Sequence, residues 1–278
     1  MRSKPRPGLV GALLIVAFGV TTALPAQPPR AVADAPAVAA VRPPPTGTPV
    51  RGVDLPAAVA AGVAAASGRI TLGLAVLDLT TGKVASSDGG RRFYSASMSK
   101  LIIAVDVLSR DVTAKDRDRV WRALSASDDE AMNALWSLHD GVRAIGRVSR
   151  LAGLTGTSAP TDPAEWGETM VTADDFVRLQ AYIAASPSGE FIAAALAAAP
   201  DTAADGFNQA FGLNGAGLDA YGKQGWMNYR PNLVYLHSAG VLKGRYAVAL
   251  LSVQRGLSTG GARQRVDAIT SAVAAVLP

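Results

Sequence analysis

The chain has 278 residues, 49% of them hydrophobic, which suits one globular domain with an extension rather than a disordered protein. It contains no cysteine, which excludes a disulfide framework, a cysteine nucleophile and a lipid anchor on cysteine. The formal net charge is +5, but residues 1–49 hold five basic residues against one acidic residue, so the remaining chain is almost neutral. We therefore expect no nucleic-acid binding.

The N-terminal 49 residues predict an export region. Three basic residues among the first six precede an uncharged apolar segment, residues 9–20, as in a secretory signal. We assign residues 1–26 to a signal peptide, with an N-terminal membrane anchor as the alternative. Residues 27–49 are rich in Pro and Ala and contain too few large apolar side chains to fold alone, which predicts a linker. The expected location is secreted or extracytoplasmic, in the cell envelope, with or without a membrane tether.

Residues 50–278 form the predicted domain, in which strand patterns stand at both ends and helix patterns in the middle. In chain order, the predicted elements are a helix at 54–67, strands at 69–79 and 83–87, helices at 97–108, 116–124, 128–138, 142–151 and 173–185, strands at 221–226, 233–239 and 246–253, and a helix at 261–276. Residues 193–217 are rich in Gly and Ala and separate the two halves. This order predicts an α/β (α+β) fold: an antiparallel five-stranded sheet flanked by the terminal helices, plus an all-helical lobe. A site is expected in the cleft between sheet and lobe.

The first chemical motif is Ser97-Met98-Ser99-Lys100, at the start of a predicted helix. Residues three apart share one helix face, so Ser97 and Lys100 can reach each other. A serine hydroxyl becomes a good nucleophile when a neighbour takes its proton, and an amine does so if its pKa is depressed. The alternative interpretation is a helix cap followed by a solvated lysine.

Two further motifs follow along the chain. The segment Ser127–Leu135 opens a predicted helix, and its simplest interpretation is a capping box between Ser127 and Glu130. The segment Lys223–Trp226 lies on a predicted strand, where its glycine allows close approach of a substrate and its lysine supplies a cation. The alternative for this segment is an exposed strand lysine before a turn.

Taken in order, the three motifs resemble those of the serine β-lactamase and penicillin-binding protein superfamily, which carries Ser-x-x-Lys, Ser-Asp-Asn and Lys-Thr-Gly. The likeness covers about residues 54–278 and is strongest to class A β-lactamases. It implies an exported serine hydrolase that forms an acyl-enzyme with an amide, β-lactam or ester substrate, in the manner of a β-lactamase or a D,D-peptidase. The expected partner is a small molecule or a peptidoglycan peptide, with no cofactor and no metal, and we expect a monomer.

The resemblance also implies a role for each matching residue. Ser97 would attack the carbonyl carbon, Lys100 would accept the serine proton, and Ser127 would pass a proton to the leaving nitrogen. Lys223 would bind the substrate carboxylate and tune the local potential. The backbone N–H groups of Ser97 and Trp226 would form the oxyanion hole. The remaining substrate-binding candidates are Asp129, Gln224 and Gly225.

The chain departs from the family pattern at three points. Asp129 stands where the family has asparagine, and a carboxylate near Lys100 would keep that lysine protonated. Gln224 replaces the threonine. The Glu-x-x-Leu-Asn signature of the deacylating glutamate is missing, which leaves Glu165 as the candidate base, with Glu168 beside it. These departures keep a second hypothesis open, a catalytically weak or inactive protein on the same fold that binds cell-wall or envelope components.

Overall fold

The computed structural model describes residues 53–68, 70–215, 217–229 and 232–278. The predicted signal peptide, residues 1–26, and the predicted linker, residues 27–49, lie outside the described residues, so both stay predictions. No helix among the described residues has the length and apolar character that a bilayer crossing requires.

Seven strands are present in the described residues. In chain order they are β1 (Ile70–Asp78), β2 (Val84–Ser87), β3 (Phe93–Tyr94), β4 (Met170–Val171), β5 (Ala220–Tyr229), β6 (Leu233–Leu242) and β7 (Tyr246–Arg255). Five of them form one antiparallel sheet in the order β2-β1-β7-β6-β5, while β3 and β4 pair separately. The predicted five-stranded antiparallel sheet is therefore confirmed.

Eight α-helices surround the sheet in the described residues. They are α1 (Leu55–Ala65), α2 (Ser99–Leu108), α3 (Ala114–Ser125), α4 (Asp129–Leu138), α5 (Gly141–Ala152), α6 (Ala173–Ala185), α7 (Gly189–Ala197) and α8 (Thr259–Val276). Short 3-10 helices add Ala96–Met98, Trp166–Glu168 and Gly212–Asn214. The terminal helices α1 and α8 pack together, and α2 to α7 form the predicted helical lobe.

The sheet separates two apolar cores because alternate residues of a strand face opposite sides. On β1, Leu74 and Val76 pack with the terminal helices, whereas Ala75 and Leu77 pack with the helical lobe. The central strand β7 divides in the same way, and most of its residues are buried. Both faces of the sheet are thus covered, as the position of its strands at the two ends of the domain predicted.

One helix was not predicted. Helix α7 lies partly in the Gly- and Ala-rich segment, but its buried residues Ile192, Ala195 and Leu196 follow the i, i+3, i+4 spacing of a helix face. Alanine is a strong helix former. A segment whose composition is typical of a spacer therefore becomes helical when its apolar face packs on the helical lobe.

Candidate active site

Ser97 lies on the 3-10 helix Ala96–Met98, which leads directly into α2. The residue before it, Ala96, has a φ of 47°, a left-handed conformation that costs free energy for a residue with a Cβ. Tertiary contacts hold this turn: the Ser95 N–H donates to Thr169 O at 2.8 Å, and His237 Nε2 lies 2.9 Å from Tyr94 O. The strained turn and its supports fix the hydroxyl of Ser97, which is 6% exposed, at the base of a cavity.

Lys100 contacts the Ser97 hydroxyl. Its Nζ lies 2.8 Å from Ser97 Oγ, 2.8 Å from Ser127 O and 2.5 Å from Asp129 Oδ1. Burial lowers the pKa of Lys100, and the negative charge of Asp129 opposes that shift without cancelling it. The amine of Lys100 is therefore easier to deprotonate than that of a surface lysine. The predicted role of Lys100 as proton acceptor requires this, because only the neutral amine can take a proton.

Ser127 bridges the two lysines of the site. Its Oγ accepts hydrogen bonds from Lys223 Nζ at 2.9 Å and from Lys100 Nζ at 3.2 Å. Ser127 has a φ of 53° and precedes α4, whose N-cap is Asp128, with its carboxylate accepting from Ala131 N at 3.0 Å. The interpretation of Ser127 as a helix cap is therefore wrong, because the next residue does the capping.

Lys223 is held behind Ser127 rather than on the surface. It is 1% exposed, and its amine also donates to Gln224 O at 2.9 Å. Burial, followed by the positive charge of Lys100, lowers its pKa well below the usual value. The alternative interpretation of Lys223 as an exposed strand lysine is therefore wrong. Of the two roles implied by the resemblance, an electrostatic effect on Ser127 fits this buried position better than direct contact with a substrate carboxylate.

The side chain of Gln224 does not reach the cavity. Neighbouring residues of a strand point to opposite faces, so Lys223 and Gln224 cannot both face Ser97. The Gln224 Nε2 instead donates to Phe211 O and Ser238 Oγ, both at 3.1 Å, in the core beneath the terminal helices. Its prediction as a substrate-binding side chain is corrected by this placement.

Gly225 allows strand β5 to lie against the turn that carries Ser97. A Cβ at this position would stand 2.9 Å from Met98 Cγ and 3.0 Å from Ser95 O, closer than such atoms pack. The next residue, Trp226, lines the cavity beside Ser97. The role of the Trp226 backbone N–H as a donor in the oxyanion hole stays a prediction.

The cavity in front of Ser97 has a volume of about 370 Å³, and we call it the Ser97 cavity. Its wall includes Asp129, Glu165, Trp166, Asp205 and Trp226. The structure thus brings the predicted residues Asp129, Glu165 and Trp226 to one cavity with Ser97.

Trp166 and Asp205 were missed by sequence reasoning. The Trp166 ring lies 4.8 Å from Lys100 Nζ, and its indole N–H donates to Asn133 Oδ1 at 2.8 Å. Asp205 accepts from the Trp226 indole N–H at 3.0 Å. Proximity to Glu165 was the only sequence signal for Trp166, and Asp205 lies in a segment without a motif.

Comparison with known proteins agrees with the fold. Residues 55–120 match the model of a family described as "Beta-lactamase enzyme family". Proteins named "Putative lipoprotein LppW" from Mycobacterium tuberculosis and Mycobacterium bovis are 32% identical in an alignment 200 residues long, which covers 66% of this chain and 63% of each relative. The chain thus spans less than two thirds of the length of these relatives.

Solved structures give the same result. The TLA-3 extended-spectrum β-lactamase aligns with a TM-score of 0.65 and 14% identity, covering 80% of this chain and 98% of that one. A β-lactamase from Sphaerobacter thermophilus gives 0.58 and 22%, covering 81% and 100%, and a structure of PBP-A gives 0.61 and 15%, covering 79% and 95%. At these identities the likeness shows the fold.

Proposed function

We propose that this chain, which has the fold of serine β-lactamases and PBP-A, is an exported serine hydrolase acylated at Ser97. The observation that carries the proposal is the 2.8 Å contact between Lys100 Nζ and Ser97 Oγ inside a buried pair. Amide, β-lactam and ester carbonyls are the acceptors that such a pair can attack.

The reaction begins with the neutral form of Lys100. As Ser97 Oγ bonds to the carbonyl carbon, its proton moves to the Lys100 amine, and the negative charge develops on the carbonyl oxygen. The bond to the leaving nitrogen or oxygen then breaks, and that atom takes a proton through Ser127. The hydrogen bond from Lys100 Nζ to Ser127 Oγ supports this role, because the proton held by Lys100 can pass to Ser127 as Ser127 gives its own to the leaving group.

Release of the acyl group is proposed to be slow. Hydrolysis needs a base that activates water, and the carboxylate in contact with Lys100 is Asp129, whereas Glu165 lies exposed at the cavity wall. The indole of Trp166 occupies the space over the Lys100 amine. This arrangement supports a D,D-peptidase-like or esterase-like protein with a long-lived acyl-enzyme better than an efficient β-lactamase.

One observation favours a second candidate function, a binding protein without turnover. The carboxylate of Asp129 stands 2.5 Å from the Lys100 amine, and this ion pair stabilises the protonated amine that cannot accept the serine proton. In this second candidate function, the ion pair keeps Lys100 protonated, and the Ser97 cavity binds a cell-wall or envelope component without reacting with it.

The proposed location is extracytoplasmic, in the cell envelope. The predicted signal peptide supports it, and so does the lipoprotein name given to the mycobacterial relatives. The proposed partner is a small-molecule or peptidoglycan-peptide acyl donor, bound by a monomer.

Labelling with a fluorescent penicillin and with a fluorophosphonate tests the enzyme. We expect a covalent adduct on the native protein, seen by intact-mass spectrometry, and none on Ser97→Ala, because the bond forms at Ser97 Oγ. The matched control Ser86→Ala changes an exposed serine of β2 and should label like the native protein. Absence of labelling by both probes would favour the binding protein, and an adduct that persists in Ser97→Ala would refute the assigned nucleophile.

A further inference from the structure

The charged residues that line the Ser97 cavity all carry carboxylates. In the described part of the chain they are Asp129, Glu165 and Asp205. The two amines of the site, on Lys100 and Lys223, are each 1% exposed and lie behind the serine hydroxyls to which they donate. A substrate entering from solvent therefore meets negative charge first.

The positive charge behind the cavity is reduced by burial. Desolvation lowers the pKa of both lysines, while Asp205 acts on each in the opposite direction and raises its pKa. Asp205 lines the same cavity as Ser97, so its carboxylate lies close enough to the site to act on both amines. The lining of the cavity is consequently acidic, and burial favours the neutral form of the two amines behind it.

Asp205 is held in one orientation. Its Oδ2 accepts from the Trp226 indole N–H at 3.0 Å, and its Oδ1 accepts from the Phe207 backbone N–H at 2.9 Å. The rings of Trp226 and Phe207 stack, with centroids 4.4 Å apart and an angle of 7° between their planes. These contacts place a fixed carboxylate beside two aromatic rings.

Asp205 also stands between two cavities. A neighbouring cavity of about 390 Å³, which we call the Phe207 cavity, shares Asp205, Trp226 and Met227 with the Ser97 cavity. Its other lining residues include Phe207 and Val234, which are apolar. An acyl donor attached at Ser97 can therefore extend past Asp205 into a second, partly apolar space.

A carboxylate in a cavity whose lining holds no cation among the described residues binds an ammonium group through a charge-assisted hydrogen bond. The Trp226 ring, which already lies 5.6 Å from Lys223 Nζ and stacks on Phe207, supplies apolar surface beside it. An anionic donor would instead meet three carboxylates. We propose that the Ser97 cavity selects acyl donors that carry an amine, with the ammonium group bound by Asp205 beside Trp226. The inference rests on the proposed function, since it names the substrate class of the same site.

The test compares two esters that differ in one group: an ester of a lysine-containing peptide and the same ester with its side-chain amine acetylated. We expect the native protein to form the Ser97 adduct about tenfold faster with the free amine, the ratio that one charge-assisted contact at a solvated site supports. Asp205→Asn keeps an amide oxygen for the Trp226 indole but removes the charge, and should abolish most of this preference. The matched control Asp201→Asn changes an exposed carboxylate of the same loop and should preserve it.

Binding to Ser97→Ala, measured by calorimetry, separates this inference from the proposed function. Tighter binding of the amine that depends on Asp205, without any adduct on the native protein, would retain the amine subsite and refute acyl transfer. Adducts that form equally fast from both esters, or a preference that survives in Asp205→Asn, would overturn the subsite and leave acyl transfer standing. Failure of both esters to react and to bind would overturn the subsite as well.

Discussion

Asp129 is the single residue that most affects how readily Lys100 can act as a base. Its side chain is 54% exposed, so solvent screens the ion pair, whereas the Lys100 amine is fully buried. The pKa of Lys100 is lowered overall, because the effect of burial is larger than the opposing effect of the Asp129 carboxylate. The proposed acylation therefore depends on how far this one exposed carboxylate offsets the effect of burial on the pKa of Lys100.

Asp129→Asn should accelerate acylation of Ser97. Removing the negative charge lowers the pKa of Lys100 further, so a larger fraction of the amine is neutral at a given pH. Because the neutral amine is the active form, the rising limb of the pH–rate profile should move to lower pH. On this rising limb, where most of the amine is protonated, we expect the acylation rate to increase about tenfold for each pH unit by which the limb moves.

The acylation rate across pH 5 to 9 gives the measurement. Glu130→Gln is the matched control, since it removes an exposed carboxylate from the next position of α4. An unchanged pH profile in Asp129→Asn, or an equal displacement in Glu130→Gln, would contradict the assigned influence of Asp129 on Lys100.

His237 links the sheet to the turn before Ser97 and makes that link sensitive to acid. Its Nδ1 accepts from Ser252 N at 3.1 Å, and its Nε2 donates to Tyr94 O, so the folded protein requires the neutral ring. Burial lowers the pKa of His237 from 6.5 to about 4. The unfolded chain therefore takes up this proton near pH 6.5, whereas the folded chain resists it until about pH 4.

We expect the stability contributed by neutral His237 to be fully present above pH 6.5 and to fall as the pH drops toward 4. The difference in pKa corresponds to about 3 kcal/mol of unfolding free energy. Urea unfolding at pH 7 and pH 4.5 measures it, with His237→Gln losing less stability between the two values than the native protein. Equal losses in the two proteins would show that other groups cause the acid sensitivity.

Strand β5 and the 3-10 helix of Ser97 are the two elements whose contact assembles the site. Lys223 comes from the strand, and Ser97 precedes α2, so their relation depends on how closely the strand approaches at Gly225. Any side chain at that position must displace either Met98 or the backbone of Ser95.

Gly225→Ala should therefore slow acylation by at least about tenfold and reduce stability by about 1–3 kcal/mol, the usual cost of overpacking. The expected cause is an outward shift of β5, which lengthens the Lys223–Ser127 hydrogen bond. Acylation rates and thermal unfolding measure the two effects. Gly90→Ala serves as the control because its Cβ would meet no atom within 4 Å, and matching results for the two variants would refute the close-contact argument.

Most elements could be predicted because they depend on local patterns. Periodic apolar residues identified the hairpin, the terminal helix and the strands from β5 to β7, and strand alternation alone would have placed the Lys223 and Gln224 side chains on opposite faces. The first two motifs indicated Ser97, Lys100 and Ser127 near helix starts, and the third indicated Lys223 on a strand; it was their order along the chain that pointed to one site. The two-residue strands β3 and β4 could not be predicted, since they exist only through pairing with distant chain segments.

The cavity wall was harder to predict than its base. Trp166 reaches the Ser97 cavity from a short 3-10 helix and Asp205 from a loop, and no periodic pattern fixes where the side chains of such irregular segments point. Their positions follow from tertiary contacts with Asn133 and Trp226. The specificity of the site thus depends on residues that only the folded chain brings together.

In the molecule as a whole, the central pairing of the sheet joins the first strand to the last. Ile70 lies opposite Gln254, so β1 has no neighbour on that side until β7 has been synthesised. Contacts between such distant segments slow folding because a long loop must close before they form. The sheet therefore cannot be completed until nearly the whole domain, up to Arg255 at the end of β7, has been synthesised.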